Sequence, residues 1–263
     1  MAITLRSRRE IELMAKAGSV VADVLSKLKD MAAPAVTTAQ LDRMAASICA
    51  DAGATALFKG VCGPNAGIAF PGAICASVNQ QVVHGIPSES VVLKQGDILS
   101  VDFGARLNGY CADAAVTIGI GKISRDNRRL IEVTEHVLDI VIEMAAPGVK
   151  WSRIAAGMQH YAESAGFSVV RDFVGHGIGT KMHEEPRVPN FVSDELLEDD
   201  IVLSEGMVIA VEPMINAGTA DTRMLKDGWT VVTKDGKCSA HFEHTIAITA
   251  DGCRVLTGES KRG

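Results

Sequence analysis

The stretch Asp97-Ile-Leu-Ser-Val-Asp102-Phe-Gly-Ala-Arg-Leu-Asn108-Gly109-Tyr-Cys-Ala-Asp113-Ala-Ala-Val-Thr-Ile-Gly-Ile-Gly121 decides the fold. Asn108-Gly109 separates two apolar, β-branched runs. A type I′ hairpin turn needs positive φ at both central residues, and Asn-Gly supplies it. With that pair as the turn, Leu107 faces Tyr110, Asp102 faces Ala115 and Asp113 faces Gly104. Side chains alternate along a strand, so Asp102 and Asp113 share one face. They stand one diagonal step apart, roughly 7–8 Å between Cα atoms. A bulge at Gly104 would shift this register. Aspartate is depleted in strands, and two on one face repel unless water solvates them or a cation compensates.

Working outward, the chain repeats itself. Met31-Ala-Ala-Pro-Ala-Val reappears as Met144-Ala-Ala-Pro-Gly-Val, and in the same register Leu41 falls on Ile154 and Ala52-Gly53 on Ala165-Gly166. Gly96-Asp-Ile-Leu-Ser-Val-Asp102 lines up with Gly206-Met-Val-Ile-Ala-Val-Glu212, and the segment around Glu243 resembles Ala112-Asp113-Ala-Ala-Val-Thr-Ile. A fixed offset over a helix and both its boundaries points to duplication. Each half then offers two acids on core strands: Asp102 and Asp113, then Glu212 and Glu243. The expected architecture is one α/β (α+β) domain over 1–263 with pseudo-twofold halves, roughly 8–121 and 124–258. It has a curved antiparallel sheet, helices on the outer face and the acids in the concavity.

Helical spacing is expected over Arg8–Leu28 and Ser124–Ala146. Thr37 with Gln40 forms a capping box for a helix running to Ala52, with Gly53 past its end. Ile74–Val83 reads as a strand, followed by a tight turn at His84-Gly-Ile-Pro.

Four converging carboxylates cannot all stay ionised without cations. An imidazole among them shifts the choice of ion toward Mn, Fe, Co or Zn. Gly175-His176-Gly177-Ile178-Gly179 offers that imidazole, with glycines that let the backbone approach a crowded centre. As a phosphate loop this segment fails, because neither the third dinucleotide glycine nor a Gly-Lys-Ser/Thr follows. Two ions sharing a water supply hydroxide at neutral pH and clamp a developing oxyanion, so hydrolysis of an amide or ester follows. His84 and His183 sit in loops that border the centre. His244 adjoins Glu243 but points to the opposite face, and His136, His160 and His241 read as helical, exposed or peripheral.

Net charge of −6 argues against a nucleic-acid-binding surface. The six cysteines are dispersed with no Cys-x-x-Cys pair, as in a reduced, cytoplasmic protein. No stretch approaches the length of a membrane span, and the N-terminus lacks an apolar signal core.

Taken in order, five motifs span nearly the whole chain: V-N-x-x-V-x-H-G-I-P, V-D-x-G-x-x-x-x-G-Y-x-x-D, G-H-G-I-G-x-x-M-H-E-E-P, V-x-x-V-E-P and F-E-H-T. In these the chain resembles the methionine aminopeptidases of the short bacterial type I form. The resemblance implies a pita-bread fold, two divalent metal ions and removal of the initiator methionine from nascent polypeptides with a small second residue. It implies Asp102, Asp113, His176, Glu212 and Glu243 as ligands, with Asp113 and Glu243 bridging. Asp102 would hold one ion, and His176 with Glu212 the other. Glu212 would also transfer protons. His84 would contact the scissile amide nitrogen and His183 the carbonyl oxygen, while Cys75, Phe70 and Trp229 would lie near the methionine side chain. The expected setting is a monomer acting on nascent N-termini at the ribosome. Two departures stand out: 58–70 is rich in glycine and alanine where many relatives carry tyrosines, and Gln80 replaces a common acid. A proline-specific peptidase of the same fold is the nearest alternative, although the Asp113 strand reads A-D-A-A-V-T rather than S-D-x-T-R. A non-catalytic relative is the other, although such relatives lose ligands and all five are present here.

Overall fold

The Asn108-Gly109 turn forms with both residues at positive φ, 52° and 85°. It joins Ile98–Leu107 to Tyr110–Gly119, and the ladder runs without a shift from Ile98↔Gly119 to Leu107↔Tyr110. No bulge interrupts it at Gly104, so Asp102 faces Ala115 and Asp113 faces Gly104 as the turn chemistry demands. The computed structural model describes residues 3–63 and 67–258.

This hairpin is the middle of a nine-stranded antiparallel sheet. Its strands are β1 (Thr55–Ala56), β2 (Cys75–Val78), β4 (Ile98–Leu107), β5 (Tyr110–Gly119), β7 (Gly175–Gly177), β8 (Glu184–Val188), β9 (Val208–Val211), β14 (Glu243–Thr249) and β15 (Gly252–Val255). Their order is β1-β4-β5-β14-β9-β7-β8, with β2 on β4 and β15 on β14. Two three-stranded sheets flank it. One joins β3 (Gln81–Val83) to β12 (Val231–Thr233) and β11 (Thr222–Met224). The other joins β6 (Ser168–Val169) to β10 (Met214–Asn216) and β13 (Ser239–His241).

The helices are α1 (Arg8–Met31), α2 (Thr38–Asp51), α3 (Arg125–Met144), α4 (Trp151–Ser164) and the short α5 (Asp194–Glu198). Capping explains where α1, α2 and α3 start. Ser7 with Glu10 and Thr37 with Gln40 form full capping boxes, and Ser124 accepts the Asn127 N–H. The α5 turn, capped by Ser193, was not anticipated. One apolar cluster packs α1 and α2 on the first hairpin through Val21, Leu28, Leu41 and Phe103; a second packs α3 and α4 on the other half through Leu130, Val141, Trp151 and Ile209.

The repeat is visible strand by strand. Helices α2 and α4 are both 14 residues, from Thr38 to Asp51 and from Trp151 to Ser164. Thr55 pairs with Arg106 and Ala56 with Ala105; their counterparts Ser168 and Val169 pair with Asn216 and Ile215. Two expectations need correction. Ile74–Val83 is not one strand, because Asn79 takes φ 54° and turns the chain between β2 and β3. Its side chain holds that turn by accepting the Ile98 N–H and donating to Asp97. His241 is neither helical nor peripheral: it is 2% exposed in β13, opposite Met214. His136 and His160 lie exposed on α3 and α4, as expected. No described helix is long and apolar enough to cross a membrane.

Candidate metal centre

Five neighbouring strands each deliver one side chain to the concave face. Asp102 comes from β4, Asp113 from β5, Glu243 from the start of β14, Glu212 from the residue after β9, and His176 from β7. Pairing sets their heights: Asp102 and Glu243 both stand beside Ala115, while His176 pairs with Ala210. Asp113 and Glu243 are the deepest, at 1% and 3% exposure; Asp102 and Glu212 are half-buried. The glycines around His176 are required by close approach. A Cβ on Gly175 would strike the Ala210 carbonyl, and one on Gly177 the Glu185 carbonyl.

Hydrogen bonds aim the groups. His176 Nδ1 lies 2.9 Å from the Gly177 carbonyl, which only accepts, so Nδ1 carries the proton. That leaves the Nε2 lone pair directed at Asp113 Oδ2, 3.7 Å away, and Glu212 Oε1, 3.6 Å away. The Thr245 hydroxyl accepts the Asp113 N–H at 3.0 Å and lies 3.1 Å from Asp113 Oδ1. Asp102 Oδ1 is buried with no partner at all.

A lone pair facing carboxylates, and an orphaned carboxylate oxygen beside them, are unfavourable unless a cation lies among them. Burial and mutual repulsion push the Asp102, Glu212 and Glu243 carboxyls well above their usual range, and burial raises Asp113 to about 6. Burial also lowers His176, keeping the imidazole neutral and able to ligate. Ligand atoms of Asp113, His176 and Glu243 lie within 4.8 Å of one another. This buried cluster can bind metal, and an imidazole among its oxygens is compatible with Mn, Fe, Co or Zn.

These raised values make metal binding depend on pH. Below its pKa a carboxyl holds a proton that an ion must displace; above it the ligand is free. Divalent-metal affinity should therefore fall as pH drops through about 6, by about tenfold per unit for each proton taken up. Calorimetric titration of metal-free protein checks this. Equal affinity at about pH 7.5 and about pH 5 would contradict the ligand set.

Above the acids a cleft of about 1030 Å³ is lined by His84, His176, His183, Glu212 and Trp229. His84 sits at φ 58° and is held edge-on between Phe173 and Trp229, at 5.6 and 5.9 Å between ring centroids. Burial lowers its pKa to about 4, so it is neutral near pH 7. His183 lies 4.3 Å from His176, ring to ring, and is exposed to the cleft. Asp102 and His84 also border a small cavity of about 80 Å³, walled by Phe58, Phe70, Cys75, Met182 and Trp229. Phe70 meets Trp229 edge-on at 5.1 Å, and the indole N–H donates to the Ile68 carbonyl at 2.9 Å.

The side chains singled out from the sequence as ligands or substrate contacts therefore surround one centre, and His244 points away, its Nδ1 bonded to Thr257. Phe58, Phe173, Met182 and Thr245 complete the centre and were missed. Met182 had a signal, standing beside His183; Thr245 lies two residues beyond Glu243 on the same face.

The chain is 48% identical to methionine aminopeptidase of Clostridium perfringens over 97% of its length and 98% of that protein. Among solved structures, methionine aminopeptidase from Thermotoga maritima superposes with a TM-score of 0.91 at 39% identity, covering 98% of this chain and all of that one. The prolidase from Pyrococcus horikoshii, at 20% identity and a TM-score of 0.76 over 64% of its own chain, shares the fold alone. Residues 12–250 match the model of metallopeptidase family M24. With the acids and histidine of a buried metal site on its sheet, and relatives of its own length in the family, the chain belongs to metallopeptidase family M24.

Proposed function

We propose that this chain removes the N-terminal methionine from polypeptides whose second residue is small. The carrying observation is the apolar cavity of Phe58, Phe70, Cys75, Met182 and Trp229 directly beside Asp102. It accepts one unbranched, polarisable side chain at the metal centre and closes behind it. The chain acts as one catalytic unit over 1–263. Asp102, Asp113, His176, Glu212 and Glu243 would hold two divalent ions, with Asp113 and Glu243 as ligands common to both, Asp102 serving one ion and His176 with Glu212 the other. When bound, the ions supply an activated water and stabilise the developing oxyanion. Glu212, partly open to the cleft with a raised pKa, moves the proton between water and leaving amine. His84 hydrogen-bonds the scissile amide nitrogen and His183 the carbonyl oxygen. The protein works as a cytoplasmic monomer on nascent chains at the ribosome.

Release of free methionine from Met-Ala-x peptides tests the reading. The chain's own Met1-Ala2, which lies outside the described residues, is a second substrate. Thr4 and Arg6 line the cleft, but the N-terminus of one molecule is expected to enter another's site. In cells whose own methionine aminopeptidase is depleted, intact mass should show active protein without Met1 and the Glu243→Ala variant with it. Retention of Met1 by both, despite cleavage of Met-Ala-x peptides, would refute access of the terminus.

A further inference from the structure

We propose that Arg6 is a positioning residue for His183, acting through Glu184; this rests on the reading of His183 as a substrate-binding group. Residues 4–6 precede α1 as an extended strap. The strap is fixed where it enters α1: Arg6 N–H donates to the Gly206 carbonyl at 2.7 Å, and Ser7 begins the α1 capping box. The Arg6 side chain then passes beneath the loop between His176 and His183. Its guanidinium lies directly against the Gly179 backbone, where a Cβ would overlap it.

Only 8% of that side chain is exposed, and its Nε is buried without a partner. Nη2 pairs with Glu184 Oε2, and Nη1 lies 3.7 Å from Glu10 Oε1. A planar fork serves two carboxylates at once, which an ammonium group does not reproduce. Glu184 in turn closes the loop. Its Oε1 accepts the Lys181 N–H at 3.1 Å and the Thr180 hydroxyl at 3.3 Å. The turn that this carboxylate ties together carries Met182 in the side-chain cavity and His183 against His176. Glu184 is the chain neighbour of His183, so a shift of its carboxylate is passed to the imidazole.

A buried ion pair contributes little net stability against an apolar replacement. Removing one partner leaves the other charge buried and lets the loop relax. A displacement of about 1 Å at a reacting group costs up to about 10² in rate.

The test compares metal-loaded wild type with Arg6→Gln, Arg6→Lys, Glu184→Gln and the double variant Arg6→Gln/Glu184→Gln. Metal content, melting temperature, kcat and KM on a Met-Ala-x peptide are measured. Arg6→Gln and Glu184→Gln should each lower kcat by about tenfold or more, with metal content retained and KM changed far less. Arg6→Lys should recover part of the loss. The double variant should be no worse than the poorer single one, because both act through one contact. Should Arg6→Gln fail to fold, Glu184→Gln and Arg6→Lys carry the comparison. A folded Arg6→Gln or Glu184→Gln protein with wild-type kcat would overturn the proposal, as would losses that multiply in the double variant. Wild-type protein that leaves methionyl peptides intact would overturn it together with the functional reading it rests on.

Discussion

Asp113→Ala is expected to lose bound metal and activity together, with turnover down by about 10³ or more. Several kcal/mol of transition-state stabilisation rest on the ions, and each 1.36 kcal/mol is tenfold in rate. Asp113 is the most buried of the acids and is anchored by Thr245 through both its backbone and its carboxyl. It also lies within ligand distance of His176 and Glu243. Removing it takes one carboxylate out of the cluster and leaves three other acids still facing one another. Asp113→Asn separates charge from volume. The folded-state pKa of Asp113 is raised from 3.8 to about 6, so ionising it penalises the folded, metal-free protein at pH above both values. Metal-free Asp113→Asn should therefore be at least as stable as metal-free wild type near neutral pH. It should also lack the melting-temperature gain that added metal gives wild type. Full metal content with normal turnover in Asp113→Ala would refute the shared-ligand assignment.

His84→Ala should keep its metal and lose about 10² to 10³ in kcat/KM, the usual cost of a hydrogen bond made in the transition state. His84 lies in the cleft but offers no atom to the metal cluster among the described residues. Its positive φ is a strained conformation held by packing between Phe173 and Trp229, as expected where geometry matters more than local comfort. With a pKa lowered to about 4 the ring is neutral from about pH 5 upward. Loss of activity between pH 8 and pH 5 therefore does not arise from His84, and His84→Ala should show the same acid limb as wild type on its reduced rate. Metal loss in this variant, or a kcat/KM within about twofold of wild type, would show the role to be misassigned.

Most of the centre was legible because its supports are local or periodic. Asn108-Gly109 sets the register of Asp102 and Asp113 with no information from elsewhere in the chain. The repeat carries that arrangement to Glu212, and Gly175-His176-Gly177 announces a tight backbone approach that the Ala210 and Glu185 carbonyls confirm. The features that stayed hidden depend on distant partners. Asn79 breaks a strand-like run because Asp97 and the Ile98 N–H are there to bond it. His241 looks like any polar strand residue until β10 covers it. The cavity wall joins Phe58, Cys75, Met182 and Trp229 from four separate segments, and no periodicity links them. The glycine- and alanine-rich 58–70 stretch still supplies Phe58, Val61 and Phe70 to that wall, so the loss of tyrosines there leaves it apolar. Arg6 carries no signal of its contact in the sequence, because nothing near it in the chain reveals Glu184.

The most direct test of a metal-dependent methionine aminopeptidase is hydrolysis of paired peptides, Met-Ala-x and Met-Lys-x. The protein is freed of metal and then reloaded with Mn, Fe, Co or Zn while bound metal is counted. Free methionine should appear efficiently from Met-Ala-x, and only after a divalent ion is restored. Overfilling a packed site costs roughly 1–3 kcal/mol, so Met-Lys-x should be cut about fivefold to about 150-fold more slowly. Equal cleavage of both peptides, activity without metal, or no methionine released with any of the four ions would contradict that reading.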